Sequence, residues 1–188
     1  MIGDRLEQLA REIGFDHVGK LNRNALLFRE EVRRMCEDNR CSAWNTRWTC
    51  PPACGSLENI RRRASRYQEG ILVQSTGKLK DPFDFEAMKD LERTHKKRFD
   101  TLIRQAKITA GDILPMGSGT CTLCRRCTYP DRPCRHPDRA YPSMEAYGLL
   151  ITDVLEQSGM KYSYGEKTMT YTACILFTTT NYDKTKEI

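Results

Sequence analysis

Apolar residues at the start of the chain recur at helical spacing: Leu6, Leu9, Ala10 and Ile13 fall at i, i+3, i+4 and i+7. This predicts a helix over residues 4–13 with one buried face, ended by Gly14. Residues 15–21 read as a short strand. Asn22 or Asn24 caps a second helix through Leu26, Leu27, Val32 and Met35, which carries Cys36 at its C-terminal end. Residues 39–55 have no period and read as loop. Ser56 caps a third helix with Ile60, Ala64 and Tyr67 on one face. Gly70 breaks it, and residues 71–76 form a strand closed by Gly77. Asp81-Pro82 starts a long helix with Pro at its first position and a seam of Phe85, Met88, Leu91, His95, Phe99, Leu102 and Ala106. Residues 113–116 are a short strand. Ser143 caps a helix that buries Met144, Tyr147, Gly148, Ile151, Val154 and Leu155. Residues 168–179, β-branched and aromatic, are long enough for a central strand.

Strands alternating with helices predict an α/β or α+β fold: one mixed sheet with helices packed on it, in a single domain over residues 1–188. Two aperiodic stretches, 36–55 and 117–142, fall between regular elements, where a rigid scaffold aims side chains. At 39% hydrophobic and 30% charged residues the composition is that of a soluble globular protein. No apolar run approaches the ~20 residues of a membrane span, so no membrane partner is expected. Residues 1–20 lack the apolar core of a secretory signal. The expected location is cytoplasmic.

Against that background the cysteines stand out: nine in the chain. A reducing compartment keeps thiols from pairing, so patterned cysteine points to metal before disulfide. Cys36, Cys41, Cys50 and Cys54 form one group; Cys121, Cys124, Cys127 and Cys134 form another; Cys174 stands alone. Three cysteines at strict two-residue intervals in the second group wrap one small loop, a signature of iron–sulfur ligation. Structural zinc prefers two Cys-x2-Cys knuckles separated by a long segment. A [4Fe–4S] cluster is therefore expected at the second group, with zinc the alternative. The six residues between Cys127 and Cys134 are able to fold back. The first group ends in Cys50-Pro-Pro-x-Cys54, which resembles the close of a ferredoxin run. A second cluster, zinc, a redox pair, or three ligands with an open iron all fit its spacing. Trp44 and Trp48 lie within this loop, as shields from water or as residues tucked onto the core.

Charge follows the thiols. Residues 36–66 carry six Arg against three acids, and residues 121–140 five Arg against two Asp, so the two segments together supply the whole net charge of +6. Nucleic acid is one partner for such a surface. Neutralisation is the simpler account, because a cubane core of charge 2+ held by four thiolates is a dianion. Arg125 and Arg126, interleaved with Cys124 and Cys127, are the candidate cofactor-binding residues, placed to tune a cluster or dock an acidic partner.

The run Gly119-Thr-Cys121-Thr-Leu-Cys124-Arg-Arg-Cys127, with Cys134-Arg-His-Pro137 and Tyr141-Pro-Ser-Met-Glu-Ala-Tyr-Gly148, closely resembles the predicted metal-binding protein family DUF2284. Asn39-Arg-Cys41 and Trp48-Thr-Cys50-Pro-Pro-Ala-Cys54-Gly55 resemble its upstream motif, though Ala43-Trp44 stands where such motifs often carry Tyr-Gly. The resemblance spans most of the chain. It implies bound metal and a bacterial or archaeal source, and it implies no reaction.

His95, on the apolar seam of the long helix, reads as a hydrogen-bonded core histidine, and Cys174, mid-strand, as a buried structural thiol. The expected function is that of an iron–sulfur protein with one or two [4Fe–4S] clusters, in electron transfer or within a redox enzyme, with a redox protein as partner. Two rivals are a zinc-stabilised nucleic-acid-binding module, for which no known recognition spacing appears, and an enzyme whose first-group cluster offers an open iron to substrate.

Overall fold

The computed structural model describes residues 1–178. The helices are α1 (Ile2–Ile13), α2 (Glu30–Glu37), α3 (Leu57–Ala64), α4 (Phe85–Ala110) and α5 (Ile151–Gln157). The strands are β1 (His17–Lys20), β2 (Glu69–Lys78), β3 (Ile113–Met116) and β4 (Thr168–Phe177). The strands form one sheet in the order β1-β2-β4-β3, and every pair is antiparallel. Of the two expected classes the fold is therefore α+β. The mixed sheet is corrected to an antiparallel one: parallel pairing among the described residues is limited to an isolated bridge between Gly117 and Ser143.

Both faces of the sheet are covered. Ile71, Val73, Ala173, Ile175 and Phe177 point to one face and pack with Leu6 and Ala10 of α1 and Phe99, Leu102 and Ile103 of α4. Leu72, Cys174 and Leu176 point to the other and pack with Ile60 of α3, Val154 and Leu155 of α5, and Met144 and Tyr147. A strand buried on both faces reads as an apolar run rather than an alternation, as the centres of β2 and β4 do. Cys174 is fully buried on the second face, as expected.

Several boundaries differ from the periodic reading. Asn22 caps only a 3-10 turn over Arg23–Ala25, and the helix carrying Cys36 begins afresh at Glu30. β2 runs through both Gly70 and Gly77, because neighbours fill the space a Cβ would take: Leu176 and Leu21 at Gly70, Leu91 at Gly77. The long helix starts at Phe85 under a cap from Asp84, whose Oδ1 accepts from the Ala87 N–H at 3.2 Å; Asp81-Pro82 precedes it as a turn. Ser143 does accept from the Ala146 N–H at 3.1 Å, but the helix it was expected to start is a single turn. Gly148, at φ 80°, ends that turn, and α5 begins at Ile151. The expected strand end at Thr179 lies outside the described residues.

His95 is fully buried, its Nδ1 3.1 Å from Ser75 Oγ and its ring edge-on to Phe15 at 5.6 Å. Burial, reinforced by the Lys96 and Arg98 cations, lowers its pKa from 6.5 to about 3. Between those values the unfolded chain holds a proton that the folded chain does not. Its contribution to stability is therefore complete above pH 6.5 and lost as pH falls toward 3, at up to about 1.4 kcal/mol per pH unit. Denaturant unfolding from pH 7 to 4 should show an acid slope about one proton steeper in the wild type than in His95→Phe; parallel slopes would refute this.

Candidate metal centre

The first cysteine loop leaves α2 at its last turn. Cys36 lies there, three residues after Arg33 and hence on nearly the same helix face. The chain then winds tightly through Asn39, Ser42 and Asn45, all with left-handed backbone (φ 51°, 54° and 51°). Asn39 Oδ1 holds the turn by accepting from the Trp44 N–H at 3.0 Å. A turn follows, in which the Cys54 N–H donates to the Cys50 carbonyl at 3.1 Å. Cys50 is buried, Cys36 and Cys54 half-buried, and Cys41 exposed. Cys54 Sγ lies 3.5 Å from the Ala146 carbonyl, in the turn that Gly148 ends.

These four thiols share one electrostatic neighbourhood. Burial raises the Cys36 pKa, and the charges of Cys41, Glu145 and Cys50 raise it further. Burial likewise raises Cys50, opposed by the Thr49 hydroxyl beside it, and pushes Cys54 up to about 11. Arg33 lowers both Cys36 and Cys54. It is itself 9% exposed, donates from Nη1 to the Gly55 carbonyl at 2.9 Å, and has no carboxylate ion pair among the described residues. A buried guanidinium without a carboxylate is stabilised by other anions, and Cys36 and Cys54 become such anions once a metal displaces their protons.

The second loop is pinched at its base, where the Gly117 N–H donates to the Pro142 carbonyl at 2.8 Å. Two further ties fix it to α4: Lys96 donates to the Thr120 carbonyl, and Arg139 grips Asp100 through two bonds of 3.0 and 3.2 Å. The expected fold-back between Cys127 and Cys134 is present. Thr128 Oγ1 donates to the Pro133 carbonyl at 2.9 Å, and Arg135 Nη1 to the Arg126 carbonyl at 3.1 Å. The His136 N–H donates to Cys134 Sγ at 3.4 Å. Burial raises the Cys121 thiol, opposed by the Leu123 N–H, and the Cys134 and Cys124 charges raise it again.

The two loops also form one body, which their separation in sequence does not announce. Arg47 Nη1 donates to the Cys121 carbonyl at 3.1 Å. Trp48 Nε1 donates to the Arg132 carbonyl at 3.1 Å, and Tyr129 donates to Asn45 Oδ1 at 2.8 Å. The Trp48 and Tyr129 rings meet edge to face at 5.0 Å. Cys50 feels the charge of Cys121 across this junction. Trp48 thus packs between the loops rather than onto the core.

All nine cysteines are free thiols. Among the described residues no three Cys, His, Asp or Glu side chains are gathered closely enough to share one ion as they stand. The donor set nonetheless fits a sulfur-bound metal group. The raised pKa values of Cys36, Cys50, Cys54 and Cys121 mean that these thiols hold protons which an incoming metal displaces. Arg47 Nε and Glu145 Oε2 are buried beside the thiols without hydrogen-bond partners, and an N–H such as that of Arg47 is a donor suited to cluster sulfur.

Arg125 and Arg126 are exposed, and neither side chain has a hydrogen bond or ion pair among the described residues. The cations whose charge bears on the first-group thiols are instead Arg33, on Cys36 and Cys54, and Arg47, on Cys50, and Lys96 bears on Cys121; cysteine spacing alone does not point to them. The helical spacing of Arg33 to Cys36 was the available signal for the first; Arg47 had none. Cysteine spacing does not point to Glu145 either. Its carboxyl pKa is raised by burial, and it lies within electrostatic reach of Cys36.

A cysteine-rich α+β chain with two interlocked thiol loops carries the donor set of a sulfur-ligated metal group. The family model of DUF2284, described as predicted metal-binding protein, matches residues 19–177, and the chain belongs to that family. No curated protein and no solved structure matched it. Among the described residues no helix is long and apolar enough to cross a membrane.

Proposed function

We propose that the eight loop cysteines hold one or two iron–sulfur clusters of the [4Fe–4S] type and that the protein carries electrons in the cytoplasm to or from a redox partner protein. The observation that supports this reading is the junction of the loops, where Arg47, whose charge bears on Cys50, donates to the Cys121 carbonyl. Such clusters supply one-electron chemistry. The chain's part is to bury the thiols, to present Arg33 and Arg47 against the negative charge of the thiolates, and to keep Trp48 and Tyr129 packed between the loops. Arg125 and Arg126, exposed on the second loop, are the proposed docking contacts for an acidic partner. Anaerobically purified protein is expected to be brown, with broad absorption near ~400 nm and about four to eight irons and matching sulfide per chain. Colourless protein with stoichiometric zinc and no sulfide would overturn the reading.

Glu145 favours a second reading, an enzyme with a substrate-binding iron at the first loop. An unpartnered buried carboxylate oxygen near Cys36 is a group available to a ligand there. A change in the cluster's EPR signal on adding substrate candidates, lost in Glu145→Gln, would separate enzyme from carrier.

A further inference from the structure

A mostly apolar cavity of about 190 Å³ lies between α4 and the segment from Gly117 to Leu123. It exceeds the ~150 Å³ of an engineered apolar cavity that takes up benzene. Of the cysteines only Cys121 borders it, so it lies beside the thiol groups and is not their centre. Burial separates its two ends. Phe99 and Gly117 are buried and line the closed end, whereas Lys97, Thr122 and Leu123 are exposed and line the mouth. Half-buried Tyr141, Ser118 and Thr120 complete the wall.

The charges in the lining do not cancel. Lys96 is paired with Glu92, and Arg139 grips both oxygens of Asp100 at 3.0 and 3.2 Å. Asp100 lies one helical turn on from Lys97, but Arg139 and Arg104 already hold it. Lys97 has no ion pair among the described residues. The mouth therefore keeps one uncompensated positive charge. Beside it the hydroxyls of Ser118, Thr120 and Thr122 have no hydrogen-bond partner among the described residues, and of these residues only the Thr120 carbonyl is engaged, by Lys96.

We propose that this cavity binds an organic monocarboxylate with an apolar body the size of a single ring, its body against Phe99 and Tyr141 and its carboxylate at the mouth, between Lys97 and the free hydroxyls. The apolar closed end takes the body. A carboxylate only accepts hydrogen bonds, and ammonium and hydroxyl groups are the donors that suit it. A neutral ring fills the closed end but leaves those donors to water. A cation is repelled by Lys97. A dianion brings a second charge for which no unpaired cation remains, and it loses hydration against the apolar wall. The charge count involves no cysteine, so the site does not depend on which metal the thiols hold.

Benzoate has the body and the charge, toluene the body alone, phthalate a second carboxylate, and benzylamine the opposite charge. In equilibrium dialysis against the metal-loaded full-length protein, benzoate should bind saturably, toluene and phthalate several-fold more weakly, and benzylamine weakest. Lys97→Gln should weaken benzoate several-fold, as expected for one exposed charge, and leave toluene unchanged; Lys97→Glu should abolish the preference for benzoate. Lys107→Gln, exposed on the same helix but outside the cavity lining, should leave benzoate binding unchanged. Ser118→Trp, in the half-buried wall, should abolish binding at unchanged metal content. No saturable benzoate binding, equal affinity for toluene, phthalate or benzylamine, or benzoate affinity retained in Lys97→Glu would each overturn the proposal. So would an equal loss in Lys107→Gln, which would mark a response to net charge, or benzoate binding retained in folded Ser118→Trp. Should Ser118→Trp not fold, the Lys97 variants, altered at an exposed position, decide it.

Discussion

Cys121→Ser should strip the metal group from the second loop, while Cys174→Ser leaves metal content unchanged. A serine hydroxyl is a hard, weakly acidic donor where a soft thiolate is needed. If each loop holds a four-iron cluster, iron falls from about eight to about four per folded chain. The same loss is expected at Cys124 and Cys127. Cys174 is the proper control because its surroundings are purely structural. It sits mid-strand on β4, opposite Leu72 and Met116, fully buried, and burial pushes its thiol up to about 12. Iron and sulfide analysis on folded protein reads the result. If Cys174→Ser lost iron while Cys54→Ser kept it, the assignment of the first loop would be wrong.

The largest stability effect is expected at Gly148. Its φ is 80°, and an added Cβ would lie 2.8 Å from Leu57 Cδ2, 2.9 Å from the Arg29 carbonyl oxygen and 3.2 Å from the Arg29 nitrogen. Two of those atoms are backbone and do not yield. The approach is close because the Arg29 N–H donates to the Gly148 carbonyl at 2.8 Å. Gly148→Ala combines left-handed strain with overpacking, together about 2–4 kcal/mol, or a fall in Tm of roughly 5–15 °C for a chain of this size. Gly159→Ala separates the two causes: φ is 70° there, but nothing lies within 4 Å. It should cost only the strain, about 1 kcal/mol. Equal losses at the two positions, measured by thermal unfolding, would contradict the packing argument.

Local signals carried well into the structure. The i, i+3, i+4, i+7 pattern of Leu6 to Ile13 marks α1, and Gly14 ends it in left-handed geometry at φ 101°. Ser56 caps α3 by accepting from the Asn59 N–H at 3.3 Å. Errors arose where a tertiary contact overrides a local preference. Gly70 and Gly77 look like strand ends, yet each lies inside β2 because a neighbouring leucine occupies its missing side chain's place. Ser143 makes a true capping bond, and the helix fails five residues later at Gly148, where the Arg29 backbone sits. The cysteine spacing revealed two thiol groups. It did not reveal that they meet, because the bond from Trp48 to Arg132 joins loops brought together only by the sheet. Arg33 has a local signal in its one-turn spacing to Cys36, whereas the bond from Arg47 to the Cys121 carbonyl exists only through the junction of the loops.

The order of the sheet has a consequence for how other chains approach it. Its outer strands, β1 and β3, are four residues each. A sheet margin recruits a foreign strand through its free backbone groups. On β1 the Val18 carbonyl is taken by Arg11 Nη2 at 3.4 Å. On β3, Pro115 has no N–H to offer, and beyond it Gly117 is already bridged to Ser143. Both margins are short and partly engaged, which weakens them as templates for strand addition.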